Sequence, residues 1–147
     1  MIPPKLSSLL KTVKTIAIVG ASSNEERDSY KVMKFLIDYG YEVFPVNPNE
    51  SNKKILNQKC YSNLNDIKQK IDMVDVFRSS KYVLKIAKES VSINANILWM
   101  QEGVVDDNAA DFAKKEGLIV IMNECPKKIL EKSRYTNMSK NMRKMQK

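Results

Sequence analysis

The segment Gly20-Ala21-Ser22-Ser23-Asn24 closes an apolar, β-branched run and leads through Arg27, Ser29 and Tyr30 into a helical pattern. A strand–turn–helix of this kind aims backbone N–H groups and the positive end of a helix at whatever sits above it, which favours phosphate. The full G-x-G-x-x-G fingerprint is missing, because Ser22 and Glu25 stand where the second and third glycines belong. Loop length and two hydroxyls, Ser22 and Ser23, suit a pyrophosphate held less tightly against the main chain. The competing reading makes Ser, Asn and Asp ordinary loop and cap residues. Arg27 is the one cation in the loop, facing either a phosphate or solvent.

A second candidate lies at 46–54. NAD-binding domains place an acid at the end of their second strand, where it accepts hydrogen bonds from the adenosine ribose. Here that position reads Val46-Asn47-Pro48-Asn49, with Glu50 slightly beyond and Lys53 and Lys54 following. An uncharged strand end with cations nearby suits an adenosine bearing an extra phosphate. NADP and coenzyme A both carry one, and charge and periodicity do not choose between them. A solvated lysine pair is the plain alternative.

Three further segments follow predicted strands. Phe77 could stack on a base or support the loop, and Arg78 is a phosphate contact or a surface cation. Gln101-Glu102-Gly103 supplies a glycine that permits close approach of backbone to ligand. Cys125 could lie near a ligand's thiol end or be a small buried hydrophobe. Tyr30 and Lys34 show the Tyr-x-x-x-Lys spacing of short-chain dehydrogenases, but on the helix after strand one rather than late in the fold, so the match is read as coincidence.

The 147 residues contain no histidine, which removes His bases, Ser–His–Asp triads, phosphohistidine and His metal ligands. No metal site and no catalytic residue is assigned. Cys60 and Cys125 make neither a disulfide framework nor a zinc pattern. No apolar run approaches the ~20 residues of a membrane span, so a cytoplasmic protein without membrane contact is expected. The net charge of +8 is unevenly spread: residues 126–147 hold eight basic residues against Glu131 alone, while 1–125 hold 17 basic and 16 acidic. The body is nearly neutral. The basic tail alone leaves nucleic acid or an acidic partner open, and a homo-oligomer is neither required nor excluded.

These residues need elements to hold them. Short apolar runs at 15–20, 41–46, 73–77, 97–100 and 118–122 alternate with helical periods at 29–39, 81–93 and 106–116, after a helix near 4–11. Residues 59–61 read as a short third strand and 64–69 as a short helix. Such alternation predicts an α/β fold, a single Rossmann-type doubly wound parallel sheet with helices on both faces and strand order 3-2-1-4-5-6. One domain over 1–130 is expected, followed by a basic tail over 131–147, helical or disordered.

Taken together, KTIAIVGAS (14–22), RDSYKVMKFLIDYGYEVFPVNP (27–48), CYSNLNDI (60–67), DMVDVFRSS (72–80), ILWMQEGV (97–104) and GLIVIMNEC (117–125) resemble the small CoA-binding protein family. That family is itself similar to the CoA-binding domain of succinyl-CoA synthetase α-subunits. The resemblance implies coenzyme A rather than NADP, with the Gly20–Ser22 loop at the pyrophosphate. It puts the lysine-bearing stretch near the 3′-phosphate, and VDVFR and QEGV along the nucleotide and pantetheine path. Synthetase activity is not carried over, because its phosphorylated histidine and second domain have no counterpart here. The expected function is therefore non-catalytic binding of coenzyme A or an acyl-CoA, as carrier, sensor or regulatory module. An NADP-binding oxidoreductase-like or sensor domain is the alternative.

Overall fold

Five short apolar segments form the sheet at the centre of the molecule. In the computed structural model, which describes residues 4–145, they are β1 (Thr15–Val19), β2 (Glu42–Val46), β5 (Met73–Val76), β6 (Ile97–Met100) and β7 (Ile119–Ile121). All pair in parallel, in the order β2-β1-β5-β6-β7. Burial on both faces is why β1, β5 and β6 read as continuous apolar runs rather than alternating ones, while the edge strand β7 leaves Ile119 exposed.

The expected third strand is present only in residue. Tyr61 makes one parallel bridge to Val46, with Asn47 N–H donating to the Tyr61 carbonyl and Tyr61 N–H to that of Pro45, each at 2.9 Å. Lys59 belongs instead to a small antiparallel hairpin, β3 (Lys54–Ile55) with β4 (Gln58–Lys59). Leu56 and Asn57 at its tip both have positive φ, 50° and 65°, as a two-residue primed turn demands. The 3-2-1-4-5-6 order therefore survives with its outermost position reduced to a single bridge.

Side chains alternate across β5. Met73 joins the core layer built with α1 (Pro4–Lys11), α2 (Asp28–Tyr39) and α5 (Pro126–Met145). Val74 and Val76 join the opposite layer with α3 (Val83–Ser92) and α4 (Asp107–Lys115). On α2, Val32, Met33 and Leu36 are buried, and the helix stops at Gly40. Val83, Ile86 and Ala87 form the buried stripe of α3. Asp106 caps α4, its side chain accepting from Ala109 N–H at 3.0 Å. The helix α5 runs unbroken through residue 130: Ile129 and Leu130 are core, whereas Tyr135, Met138 and Met142 are exposed.

One buried group sits oddly in this core. Asp75, in the middle of β5, is fully buried between Ile18 and Trp99 in register, and neither carboxylate oxygen has a hydrogen-bond partner among the described residues. Burial pushes its carboxyl well above the usual range.

Candidate functional site

The carboxyl ends of β1 and β5 lie side by side while the chain leaves them towards opposite directions, β1 to β2 and β5 to β6. A doubly wound sheet opens its crevice at such a point. Gly20 makes the approach possible: its φ is +95°, and a Cβ there would lie 2.9 Å from the Phe77 carbonyl oxygen. No other residue fits both demands. Gly20 and Ala21 N–H both donate to the Val46 carbonyl, at 2.9 and 3.3 Å, and Phe77 N–H donates to Val19 at 2.8 Å. The three strand ends are thereby locked together.

Two adjoining cavities open on this rim. The first, about 660 Å³, is lined by Gly20, Ala21, Ser22, Glu26, Arg27, Asp28, Ser29, Asn47, Asn49, Phe77 and Arg78. Arg27 stands at the N-cap of α2 and no side chain caps that end, so the first amides of the helix lack acceptors, and Asp28 and Ser29, which begin it, line the cavity. Arg27 and Arg78 form no ion pair among the described residues. Amides, a helix end and two guanidiniums make a seat for an anion, tempered by Glu26 and Asp28 on the same wall. Asn47 ties the wall together, its Nδ2 donating to Ala21 carbonyl at 2.8 Å and its Oδ1 accepting from Asn49 N–H at 2.9 Å.

The second cavity, about 370 Å³, shares Asp28, Phe77 and Arg78 with the first and adds Lys31, Val32, Ser79, Gln101, Glu102, Gly103, Val104, Cys125, Lys127 and Lys128. Its far wall is pinned by three bonds. Trp99 Nε1 donates to the Glu124 carbonyl at 2.9 Å, Gly103 N–H donates to Asn123 Oδ1 at 2.7 Å, and Val104 N–H closes a turn on Gln101 at 2.8 Å. Trp99 is fully buried, so its role is to hold the Cys125 segment rather than to meet a ligand. Gln101 is only 5% exposed and its Oε1 has no hydrogen-bond partner among the described residues. That oxygen is itself shielded from solvent, so an N–H donor in the cavity reaches it only if the side chain turns. Lys128 pairs with Glu102 at 2.7 Å, and the carboxylate raises its ammonium above the ordinary lysine range. Arg78 lies over the Tyr82 ring at 4.1 Å; Lys81, then Arg78, lower that phenol below its usual value.

Of the residues singled out in the sequence, Gly20, Ala21, Ser22, Arg27, Ser29, Asn47, Phe77, Arg78, Gln101, Glu102, Gly103 and Cys125 line these two cavities. Five lie elsewhere. Ser23 gives its N–H (3.0 Å to Oε2) and its hydroxyl to the Glu50 carboxylate. Tyr30 faces a separate surface hollow beside Phe35, and Pro48 another beside Tyr82. Lys53 and Lys54 are exposed at the start of the β3–β4 hairpin and line neither cavity. The structure also adds cavity residues that the pattern did not suggest, chiefly Asp28, Lys31, Lys127 and Lys128. The signal for Lys31 was available, one helical turn past Asp28 on the same face. Lys127 and Lys128 were hidden because they read as the start of a solvated tail.

Sequences and structures of other proteins agree with this geometry. Residues 14–131 match the family profile described as the CoA binding domain. The uncharacterized protein YneT of Bacillus subtilis (strain 168) is 37% identical over 123 residues, covering 84% of this chain and 90% of YneT. An ADP-forming acetate–CoA ligase of Methanocaldococcus jannaschii is 27% identical over 120 residues, which cover 76% of this chain but only 17% of the ligase. A hypothetical protein from Pyrococcus horikoshii OT3 superposes with a TM-score of 0.84 at 34% identity, covering 90% of this chain and 92% of that one. Every residue that lines the two cavities falls inside the matched span, and this chain belongs to the family of CoA-binding domains.

Proposed function

We propose that the protein binds coenzyme A, or an acylated form of it, non-covalently, and serves as a carrier, sensor or regulatory module without catalysis of its own. The observation that carries this reading is the shared wall: two cavities of different character meet at Phe77 and Arg78. Coenzyme A has the matching asymmetry, a charged 3′-phospho-ADP joined through its diphosphate to a slender amide-bearing arm. The first cavity offers amides and guanidiniums to the diphosphate. The second offers Val32, Phe77 and Val104 to the methylenes of the arm, and Gln101, whose Oε1 is buried in the free protein, is proposed to turn that oxygen to an amide N–H of the arm. Lys53 and Lys54, on the hairpin beyond the second strand, are proposed to reach the 3′-phosphate, which needs the hairpin or the lysine side chains to turn towards the first cavity.

Thermal unfolding with three ligands tests the proposal. Coenzyme A should raise the melting temperature more than 3′-dephospho-CoA, and more than NADPH. Lys53→Ala with Lys54→Ala should narrow the first gap. A larger shift with NADPH than with coenzyme A would replace this reading by a dinucleotide-binding one, and equal shifts with the dephospho form would remove the role of the lysines.

A further inference from the structure

Helix α5 changes character along its length. Its first turns are held in the core by Pro126, Ile129 and Leu130, and no described residue from 131 onward is buried. The family match also ends at residue 131. Residues 131–147 hold six basic residues, Lys132, Arg134, Lys140, Arg143, Lys144 and Lys147, against Glu131 alone. Among them stand Tyr135, Met138 and Met142, with 73%, 58% and 59% of their surface exposed. At 3.6 residues per turn, their i, i+3, i+7 spacing makes one stripe roughly 60° wide. The midpoint between Ile129 and Leu130 lies roughly 160° round the helix from it. The apolar residues of the tail therefore do not continue the face that meets the core. Arg134 holds the helix in this rotation, its guanidinium lying over the Tyr39 ring of α2 at 4.6 Å.

Whatever covers this stripe must be apolar and anionic at once. A nucleic acid answers the cations but offers nothing to two methionines. A second copy of the tail brings cation against cation. A protein groove reads anchors at i, i+3, i+4 and i+7, and four residues after Tyr135 stands Ser139. An anionic lipid surface meets both demands. It receives a narrow apolar stripe at the boundary of headgroups and acyl chains, and its phosphates meet cations spread along the helix. We infer that the tail of α5 lies along an anionic lipid surface, with Tyr135, Met138 and Met142 turned to the acyl boundary. Among the described residues no helix is long and apolar enough to cross a membrane, and the contact is with the surface alone. It does not depend on coenzyme A.

The test is co-sedimentation of the full chain with phosphatidylcholine vesicles containing about one third phosphatidylserine. The chain should pellet with them and not with pure phosphatidylcholine, and added salt should release it. Met138→Asn with Met142→Asn keeps every charge and should weaken partitioning at least about tenfold. Lys140→Gln, Arg143→Gln and Lys144→Gln together keep the stripe and should weaken it about 100-fold. Equal pelleting by the two kinds of vesicle, full retention by the methionine variant, or no pelleting at all would overturn the inference. Tighter binding to a single-stranded oligouridylate, unmoved by the methionine substitutions, would assign the tail to nucleic acid instead. A dimer in sedimentation equilibrium that the methionine substitutions split would assign the stripe to a second copy.

Discussion

The two cavities differ in how they are made. The first is mostly one stretch of chain, residues 20–29, with Asn47 and Asn49 behind it, gathered at the uncapped end of a helix. The second is assembled from four segments that are distant in sequence, around residues 28–32, 77–79, 101–104 and 125–128, and its character comes from side chains. A helix end is set by backbone conformation and tolerates many side chains. A wall of side chains owes its selectivity to each of them. One cavity is accordingly suited to a feature common to many nucleotides, the other to what is particular to one ligand.

Substitutions can break or sharpen that contrast. The largest effect is expected at Gly20, which both cavities depend on. Gly20→Ala forces a side chain into a backbone region it disfavours and against the Phe77 carbonyl, costing about 1–3 kcal/mol of stability. Denaturant unfolding checks the cost, and coenzyme A should no longer shift the melting temperature. Next is Arg78, on the shared wall. Arg78→Ala removes charge-assisted hydrogen bonds of about 1.5–3 kcal/mol, roughly a 10- to 150-fold loss of coenzyme affinity by calorimetry. Unliganded stability should change little. If only the arm or only the nucleotide part were affected, Arg78 would belong to one cavity and not to both.

Gln101→Met should separate the cavities more finely. It removes an orphaned oxygen at nearly constant volume, so the free protein should be no less stable. Coenzyme A should bind about 2- to 10-fold more weakly, the value of one neutral hydrogen bond. Adenosine 3′,5′-bisphosphate, which lacks the arm, should bind unchanged. The smallest effect on ligands is expected at Asp75, below the junction. Its carboxyl pKa is raised in the folded state by burial, so the native protein keeps a proton that the unfolded chain releases above about pH 3.9. Its contribution to stability is greatest below that value and falls as pH climbs towards the folded pKa. Asp75→Asn cannot ionise and should flatten this part of the profile in urea midpoints measured from acid to neutral pH, with affinities for coenzyme and bisphosphate unmoved.

The same contrast separates what was legible in the sequence from what was not. The first cavity was readable because its parts are consecutive: an apolar run ending in Gly20, then hydroxyls, then Arg27 at the start of a helix. The strand order was also readable, since short links between apolar runs leave few parallel arrangements. The third strand shrank because its stretch offers only Tyr61 to the sheet while Lys59 is drawn into the hairpin. Local pattern could not show that Ser23 turns away to Glu50, since that pairing joins residues 27 apart. Nor could it show Lys127 and Lys128 at the second cavity. Their placement follows from the burial of Ile129 and Leu130, which docks the first turn of α5 on the sheet.

A single guanidinium between two chambers has a thermodynamic consequence. Whatever fills the first chamber orders Arg78 and neutralises it, and so changes the field met by a group entering the second; by reciprocity the reverse holds to the same degree. The two halves of a long ligand would then not contribute independently. Cutting the molecule in two would forfeit more than the contacts of the missing piece, and a fragment supplied in one chamber would alter the grip of the other on its own fragment.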